Sequence, residues 1–98
     1  MRKIYFFIGI GGISMSGLAE WIHSQGDIIF GSDEHSSRET SRLEKLGIQI
    51  YYKHDREHIT SDIDCVVYSG AIKDDNPELV KARELGIKTL SRGEMLEK

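Results

Sequence analysis

Apolar residues fall into short blocks along the chain, and the spacing inside those blocks alternates between two kinds. Ile4 to Ile8 is an unbroken apolar run, the mark of a strand buried on both faces. Past Gly12 the pattern changes: Met15, Leu18, Ala19 and Ile22 recur at i, i+3, i+4 and i+7, one face of a helix that Gly26 closes. Ile28-Ile29-Phe30 reads as a second buried strand ending at Gly31-Ser32-Asp33. Polar Glu34 to Arg38 then leads to a helix carrying Leu43 and Leu46 and ending at Gly47, with a strand over Ile48 to Tyr52. Cys65 to Tyr68 is the fourth strand and stops at Ser69-Gly70. Asn76-Pro77 opens a helix that runs through Leu85 to Gly86, with Pro77 suited to the first helical position. Ile87 to Leu90 is the last strand, and Ser91 with Glu94 forms a capping box for a final helical turn.

Strands that alternate with amphipathic helices require crossover connections, which are right-handed and make the sheet parallel. The expected fold is therefore α/β: a Rossmann-like three-layer domain over residues 1–98, with a parallel five-stranded sheet of order 3-2-1-4-5 and one core. That order places the topological switch between the first and fourth strands, where ligands bind at the strands' carboxyl ends. Composition narrows the partners. The formal net charge is −3, and 13 Lys and Arg are dispersed among 16 Asp and Glu, so there is no basic stripe for a nucleic-acid backbone. The apolar runs are too short to span a membrane. The single Cys65 lies in an apolar strand and reads as a small buried hydrophobe in a reducing compartment, which points to the cytoplasm.

Candidate chemistry centres on the first strand-to-helix turn. Glycines at 9, 11 and 12 allow a sharp turn and let an anion approach bare peptide N–H groups, and the following helix adds its positive dipole end. Ser14 stands where the dinucleotide fingerprint G-x-G-x-x-G has its third glycine. Ser14 and Ser16 offer hydroxyls to a phosphate. Asp33, 22 residues beyond Gly11, occupies the strand-end place from which an acid holds a ribose, or else it simply forms a turn. On the ribose reading, Asp33→Ala weakens binding and leaves the unliganded stability nearly unchanged. His54-Asp55-Arg56-Glu57-His58 matches H-x-x-E-H, but it occupies a short connection rather than a long helix, so surface histidines are expected and no metal. His54 alone follows a strand end closely enough to reach the ligand crevice. Met15 and Trp21 are expected to pack as core and helix-flanking residues. There is no G-x-x-x-x-G-K-[ST] motif, hence no P-loop.

Four ordered blocks carry a more specific signal: Gly9-Ile10-Gly11-Gly12-Ile13-Ser14-Met15-Ser16-Gly17-Leu18-Ala19; Gly31-Ser32-Asp33; Ser69-Gly70-Ala71-Ile72 with Asp74-Asp75-Asn76-Pro77-Glu78; and Arg92 ahead of Met95-Leu96. Over essentially the whole chain this pattern resembles the N-terminal domain of the Mur ligase family of peptidoglycan synthesis, apart from Ser14, where the family more often has glycine. The resemblance implies the first of three domains, one that holds UDP-N-acetylmuramate and needs no cofactor of its own. A second domain would carry a P-loop for ATP and Mg2+, and a third would bind the amino acid. Gly11-Gly12 and Met15-Ser16-Gly17 are closer to the alanine-adding branch than to the branch that attaches a recycled tripeptide. In the implied reaction ATP phosphorylates the muramoyl carboxylate, and L-alanine attacks the acyl phosphate to give an amide, ADP and phosphate. Carried over residue by residue, Gly11, Gly12, Ile13, Ser14, Met15 and Ser16 would cradle the diphosphate, while Asp33, Thr40, His54, Ser69, Ala71 and Arg92 would line the uridine side. A stand-alone module sensing NAD through the glycine turn and Asp33 is the alternative from another functional class.

Overall fold

The computed structural model describes residues 2–96. Five parallel strands, β1 (Ile4–Ile8), β2 (Ile28–Ser32), β3 (Gln49–Tyr51), β4 (Cys65–Tyr68) and β5 (Lys88–Ser91), lie in the order β3-β2-β1-β4-β5. Helices α1 (Ile13–Ser24), α2 (Arg38–Lys45), α3 (Pro77–Glu84) and α4 (Arg92–Leu96) connect or follow them, and a 3-10 turn covers Arg56–His58. β1 is central. Its Phe6 faces Phe30 of β2 on one side and Val66 of β4 on the other.

Alternation along the central strands divides the apolar residues between two layers instead of the single core expected. Phe7, Ile29, Cys65 and Val67 point to the face covered by Met15, Ala19 and Ile22 of α1 and Leu43 of α2. Phe6, Ile8 and Val66 point the other way, against Ile59, Ile63 and Leu79 and Ala82 of α3. A strand with helices on both sides has no polar face, which is why Ile4 to Ile8 is apolar throughout. Cys65 is buried as expected, whereas Trp21 is 61 % exposed and Leu46, at the C-cap of α2, is 40 % exposed. Trp21 lies outside the stripe of buried α1 residues, Met15, Ser16, Ala19 and Ile22. Among the described residues no helix is long and apolar enough to cross a membrane.

The helix starts follow their local chemistry. Ser37 and Thr40 form a reciprocal capping box on α2, and Asn76 Oδ1 accepts from the Glu78 and Leu79 N–H groups ahead of α3, with Pro77 in the first helical turn. Ser91 Oγ and Glu94 Oε1 satisfy each other's backbone N–H at 3.2 and 2.8 Å before α4. β2 continues two residues past the apolar run because the Gly31 and Ser32 backbone still pairs with Phe7 and Ile8. Gly31 is tightly enclosed: a Cβ there would stand 2.5 Å from Ile10 Cδ1 and 2.8 Å from Ile10 Cβ. Gly31→Ala is therefore expected to destabilise the domain by about 1–3 kcal/mol in chemical denaturation. Ile10→Val in the same chain should recover part of that loss by removing Cδ1; an unchanged denaturation midpoint for Gly31→Ala would show that the enclosure yields freely.

Candidate functional site

Four connections converge above the carboxyl ends of the strands and enclose a cleft of about 440 Å³. Gly9, Gly11 and Gly12 come from the β1–α1 turn, Asp33, Glu34, His35 and Ser37 from the segment after β2, His54 from beyond β3, and Ser69, Ala71 and Ile72 from beyond β4. This is the switch point that the strand order dictates, since the chain passes from β1 to β2 on one side and crosses over from β3 to β4 on the other.

Each glycine in the turn has a different task. Gly9 has φ +83°, a conformation that a side chain opposes, and a Cβ there would meet Ser69 Oγ at 2.9 Å. At Gly11 a Cβ would stand 2.7 Å from Asp33 Oδ2 and 3.0 Å from Thr40 Cγ2. Gly12 is the N-cap of α1 with φ −62°, an ordinary backbone angle, and its ideal Cβ would have nothing nearer than 3.7 Å. What Gly12 keeps free is the space beside the helix end. α2 and α3 have side-chain caps, but α1 has none and carries no acid in its first turn. The N–H groups of Ile13, Ser14 and Met15 consequently have no acceptor within the helix, which is the arrangement that receives an anion.

The remaining candidates divide between cleft and scaffold. Asp33 Oδ2 accepts from the Gly11 N–H at 2.8 Å, and Oδ1 accepts from the His35 N–H at 3.2 Å. The carboxylate thus ties the loop after β1 to the loop after β2, besides facing the cleft. Its turn-forming role and its place at the site coexist. Ser14 is exposed on the first turn of α1 and does not separate helix from sheet. Ser16 is buried and its hydroxyl donates to the Ile13 carbonyl at 3.0 Å, so it turns into the helix rather than toward a phosphate. Met15 is a core residue, and Ile13 is 81 % exposed with an apolar side chain, so at these two positions the backbone N–H is the only polar donor. Thr40 is buried with its hydroxyl accepting from the Ser37 N–H and donating to the Ser37 carbonyl. Ser69 and Ala71 line the cleft; Arg92 opens α4 beyond β5, outside its lining.

His54 is drawn into a buried cluster that local spacing does not reveal. Glu78 in α3 is wholly buried, and its carboxylate lies 2.8 Å from His54 Nδ1 and 2.6 Å from His58 Nδ1. Ser32 Oγ donates to Glu78 Oε1 at 2.6 Å. Tyr51 stacks on the His58 ring with centroids 3.9 Å apart. At the start of the 3-10 turn the Glu57 N–H donates to Asp55 at 2.9 Å and holds that carboxyl below its ordinary value. The two histidines of the H-x-x-E-H stretch are thus brought together by an acid 20 residues away from His58, while the intervening Glu57 is exposed. Among the described residues, no group of three or more His, Cys, Asp and Glu side chains is arranged to hold a metal ion.

The sequence profile of the Mur ligase family, catalytic domain, matches residues 4–98. The chain belongs to this family. The UDP-N-acetylmuramate–L-alanine ligase of Acetivibrio thermocellus is 59 % identical over 94 residues, which are 96 % of this chain and 20 % of that protein. The crystal structure of UDP-N-acetylmuramate-alanine ligase from Thermotoga maritima superposes with a TM-score of 0.90 at 38 % identity, covering 98 % of this chain and 22 % of that one. A UDP-N-acetylmuramate:L-alanyl-gamma-D-glutamyl-meso-diaminopimelate ligase from Neisseria meningitides follows at TM-score 0.88 and 28 % identity, covering 98 % and 30 %. The chain spans about a fifth of the length of the relative with the higher identity.

The Gly11–Asp33 contact makes a prediction different from the one read off the sequence. Asp33→Ala removes acceptors from two backbone N–H groups, and the unliganded domain should lose about 1–3 kcal/mol. Gly11→Ala should cost a similar amount by pushing the same carboxylate aside. Because both act through one contact, the double variant should be less destabilised than the sum of the singles in a denaturation cycle; strict additivity would show the two residues to be uncoupled.

Proposed function

We propose that the cleft binds the UDP-sugar UDP-N-acetylmuramate, as the nucleotide-sugar site of a ligase that adds L-alanine in an ATP-dependent step of peptidoglycan precursor synthesis. The observation that carries this reading is the uncapped N-terminus of α1 beside Gly12, open to a cleft at the sheet's switch point, in a chain 59 % identical to a protein named for that substrate and amino acid. The peptide N–H groups of Ile13, Ser14 and Met15 take the diphosphate, Gly12 keeps the approach clear, and the exposed Ser14 hydroxyl adds a donor. Asp33, Ser69 and Ala71 face the nucleoside and sugar portions, and His54 reaches the nucleotide at its diphosphate. Binding of this kind holds the substrate and orients it; ATP, with Mg2+, phosphorylates the muramoyl carboxylate on the other parts of a longer ligase, where the amino acid is also received. The identity at the alanine-adding relatives, above that at the diaminopimelate-peptide ligase, supports L-alanine as the acceptor. The work is that of a soluble cytoplasmic enzyme, without nucleic acid or membrane as partner.

Ligand choice tests this directly. In thermal denaturation UDP-N-acetylmuramate should stabilise the chain, by about 2.7 kcal/mol at a concentration of ~100 Kd, with NAD adding little. Gly12→Val should reduce the UDP-N-acetylmuramate shift while leaving the unliganded midpoint close to the parent, since its Cβ fits and its methyls enter the anion's space. A larger shift with NAD would refute the nucleotide-sugar assignment. The 98-residue chain on its own is expected to release no phosphate from ATP, with or without L-alanine, in a phosphate-release assay.

A further inference from the structure

An acid in the first turn of a helix is ordinarily solvated and favoured there by the dipole. Glu78 occupies such a position in α3, yet its side chain is wholly buried. A buried carboxylate needs donors on both oxygens. Oε1 receives the Ser32 hydroxyl at 2.6 Å and His54 Nδ1 at 2.8 Å, and Oε2 receives His58 Nδ1 at 2.6 Å. One hydroxyl and two ring N–H groups match an ionised acid with both imidazoles protonated at Nδ1. The second nitrogen of each ring is then the informative atom. Among the described residues no buried side-chain nitrogen or oxygen lacks a partner, so Nε2 of His54, which has no protein partner, is open to solvent. His54 belongs to the lining of the cleft, as Gly11 and Gly12 do, and of two adjoining depressions shared with Glu34 and Asn76, whereas His58 lines a separate depression with Phe30 and Thr60.

We propose that Glu78 is a positioning residue for ligand binding: it holds His54 with Nδ1–H inward and Nε2 toward the cleft, and it stabilises the cationic ring, so that a bound diphosphate takes up one proton from solvent at Nε2. This rests on the reading of the cleft as a nucleotide-sugar site. A neutral ring with its hydrogen at Nδ1 presents only a lone pair at Nε2, which repels an anion; the protonated ring presents a donor. The other charged groups around His54 do not replace Glu78. Asp33, Glu34 and His35 reach the cleft from the segment after β2, and Lys73 and Asp75 from the segment before α3. Lys53 pairs with Asp55 at 3.6 Å. None of these makes a hydrogen bond to the ring, whereas Glu78 does at 2.8 Å, with Ser32 Oγ at 3.0 Å completing the triangle. His58 shares the same acid, so one buried negative charge is divided between two rings.

Long-range 1H–15N NMR of the imidazoles, with titration of UDP-N-acetylmuramate between about pH 5 and 8, tests the assignment. UDP-N-acetylmuramate is chosen because its diphosphate is a diester and does not itself titrate in this range. His54 of the free protein should be the Nδ1–H tautomer and should titrate at Nε2. Affinity should strengthen as pH falls, by up to about tenfold per pH unit for one linked proton. Glu78→Gln leaves one acceptor oxygen in place of two, so one of the two rings should lose its Nδ1–H tautomer, and with the charge gone the pH profile should flatten, an effect that mere loosening of the fold would not produce. If that variant does not fold, His58→Gln serves instead: with Glu78 left to His54, the Nδ1–H tautomer and the pH dependence of binding should both persist, and loss of either would overturn the positioning role. An Nε2–H tautomer in the parent protein, or binding indifferent to pH, would overturn the positioning role alone. No binding of UDP-N-acetylmuramate with the Nδ1–H tautomer intact would instead overturn the substrate reading, and the ligand half of this proposal with it.

Discussion

Parallel pairing of β1 on both of its edges is the constraint on which the site depends. Ile4 to Ile8 hydrogen-bonds to β2 in one direction and to β4 in the other, so the three strands end side by side and their following loops must share one patch of surface. Because every crossover returns the chain to the same end of the sheet, the glycine turn, the Asp33 segment and Ser69 have no other place to meet. The apolar strand is thus a scaffold term with a chemical consequence: burying Phe6 and Phe7 on opposite faces is what brings a helix N-terminus, a carboxylate and an imidazole to the rim of one cleft.

At that rim the polar groups divide their tasks. The first turn of α1 is left without a side-chain cap and without an acid, which costs the helix some stability and leaves its first N–H groups without an acceptor in the helix. The neighbouring helices are capped fully by their own residues, Ser37 with Thr40 and Asn76. Asp33 directs its acceptors to the Gly11 and His35 N–H groups and so adds a side-chain tie to the Gly9 and Ile10 N–H bonds that already reach the Ser32 carbonyl. Surface ion pairs such as Arg42–Glu20, which links α2 to α1 with both side chains about half exposed, add little by comparison.

The buried acid is of a different kind. Glu78 with Ser32, His54 and His58 is a closed polar network between α3, β2 and the connection after β3. A network of this sort rigidifies only when every member is satisfied, and here each carboxylate oxygen is met. It also joins two surfaces, since His54 borders the cleft and His58 stacks on Tyr51 at a separate depression.

Periodicity determined the five strands, the intervening helices and the switch point, and local motifs determined the helix starts at Asn76 and Ser91, because each of these rests on contacts within a few residues or on the two-sided burial of a parallel sheet. The glycine turn was equally legible, since a strand, three glycines and a helix in succession leave few geometries open. Tertiary structure decided the rest. Nothing local distinguishes Ser14, exposed on α1, from Ser16, buried and bonded to its own helix; the 100° between successive residues separates them only once α1 lies on the sheet. Thr40, which the resemblance put on the uridine side, has its hydroxyl engaged in the capping box with Ser37. Trp21 looked apolar enough to pack, yet it falls outside the stripe that the sheet covers. Glu78 follows a proline at a helix start, where nothing local marks it for burial; the fold buries it because the packing of α3 against β4 and the 3-10 turn brings Ser32 and two histidines, distant in sequence, to both of its oxygens.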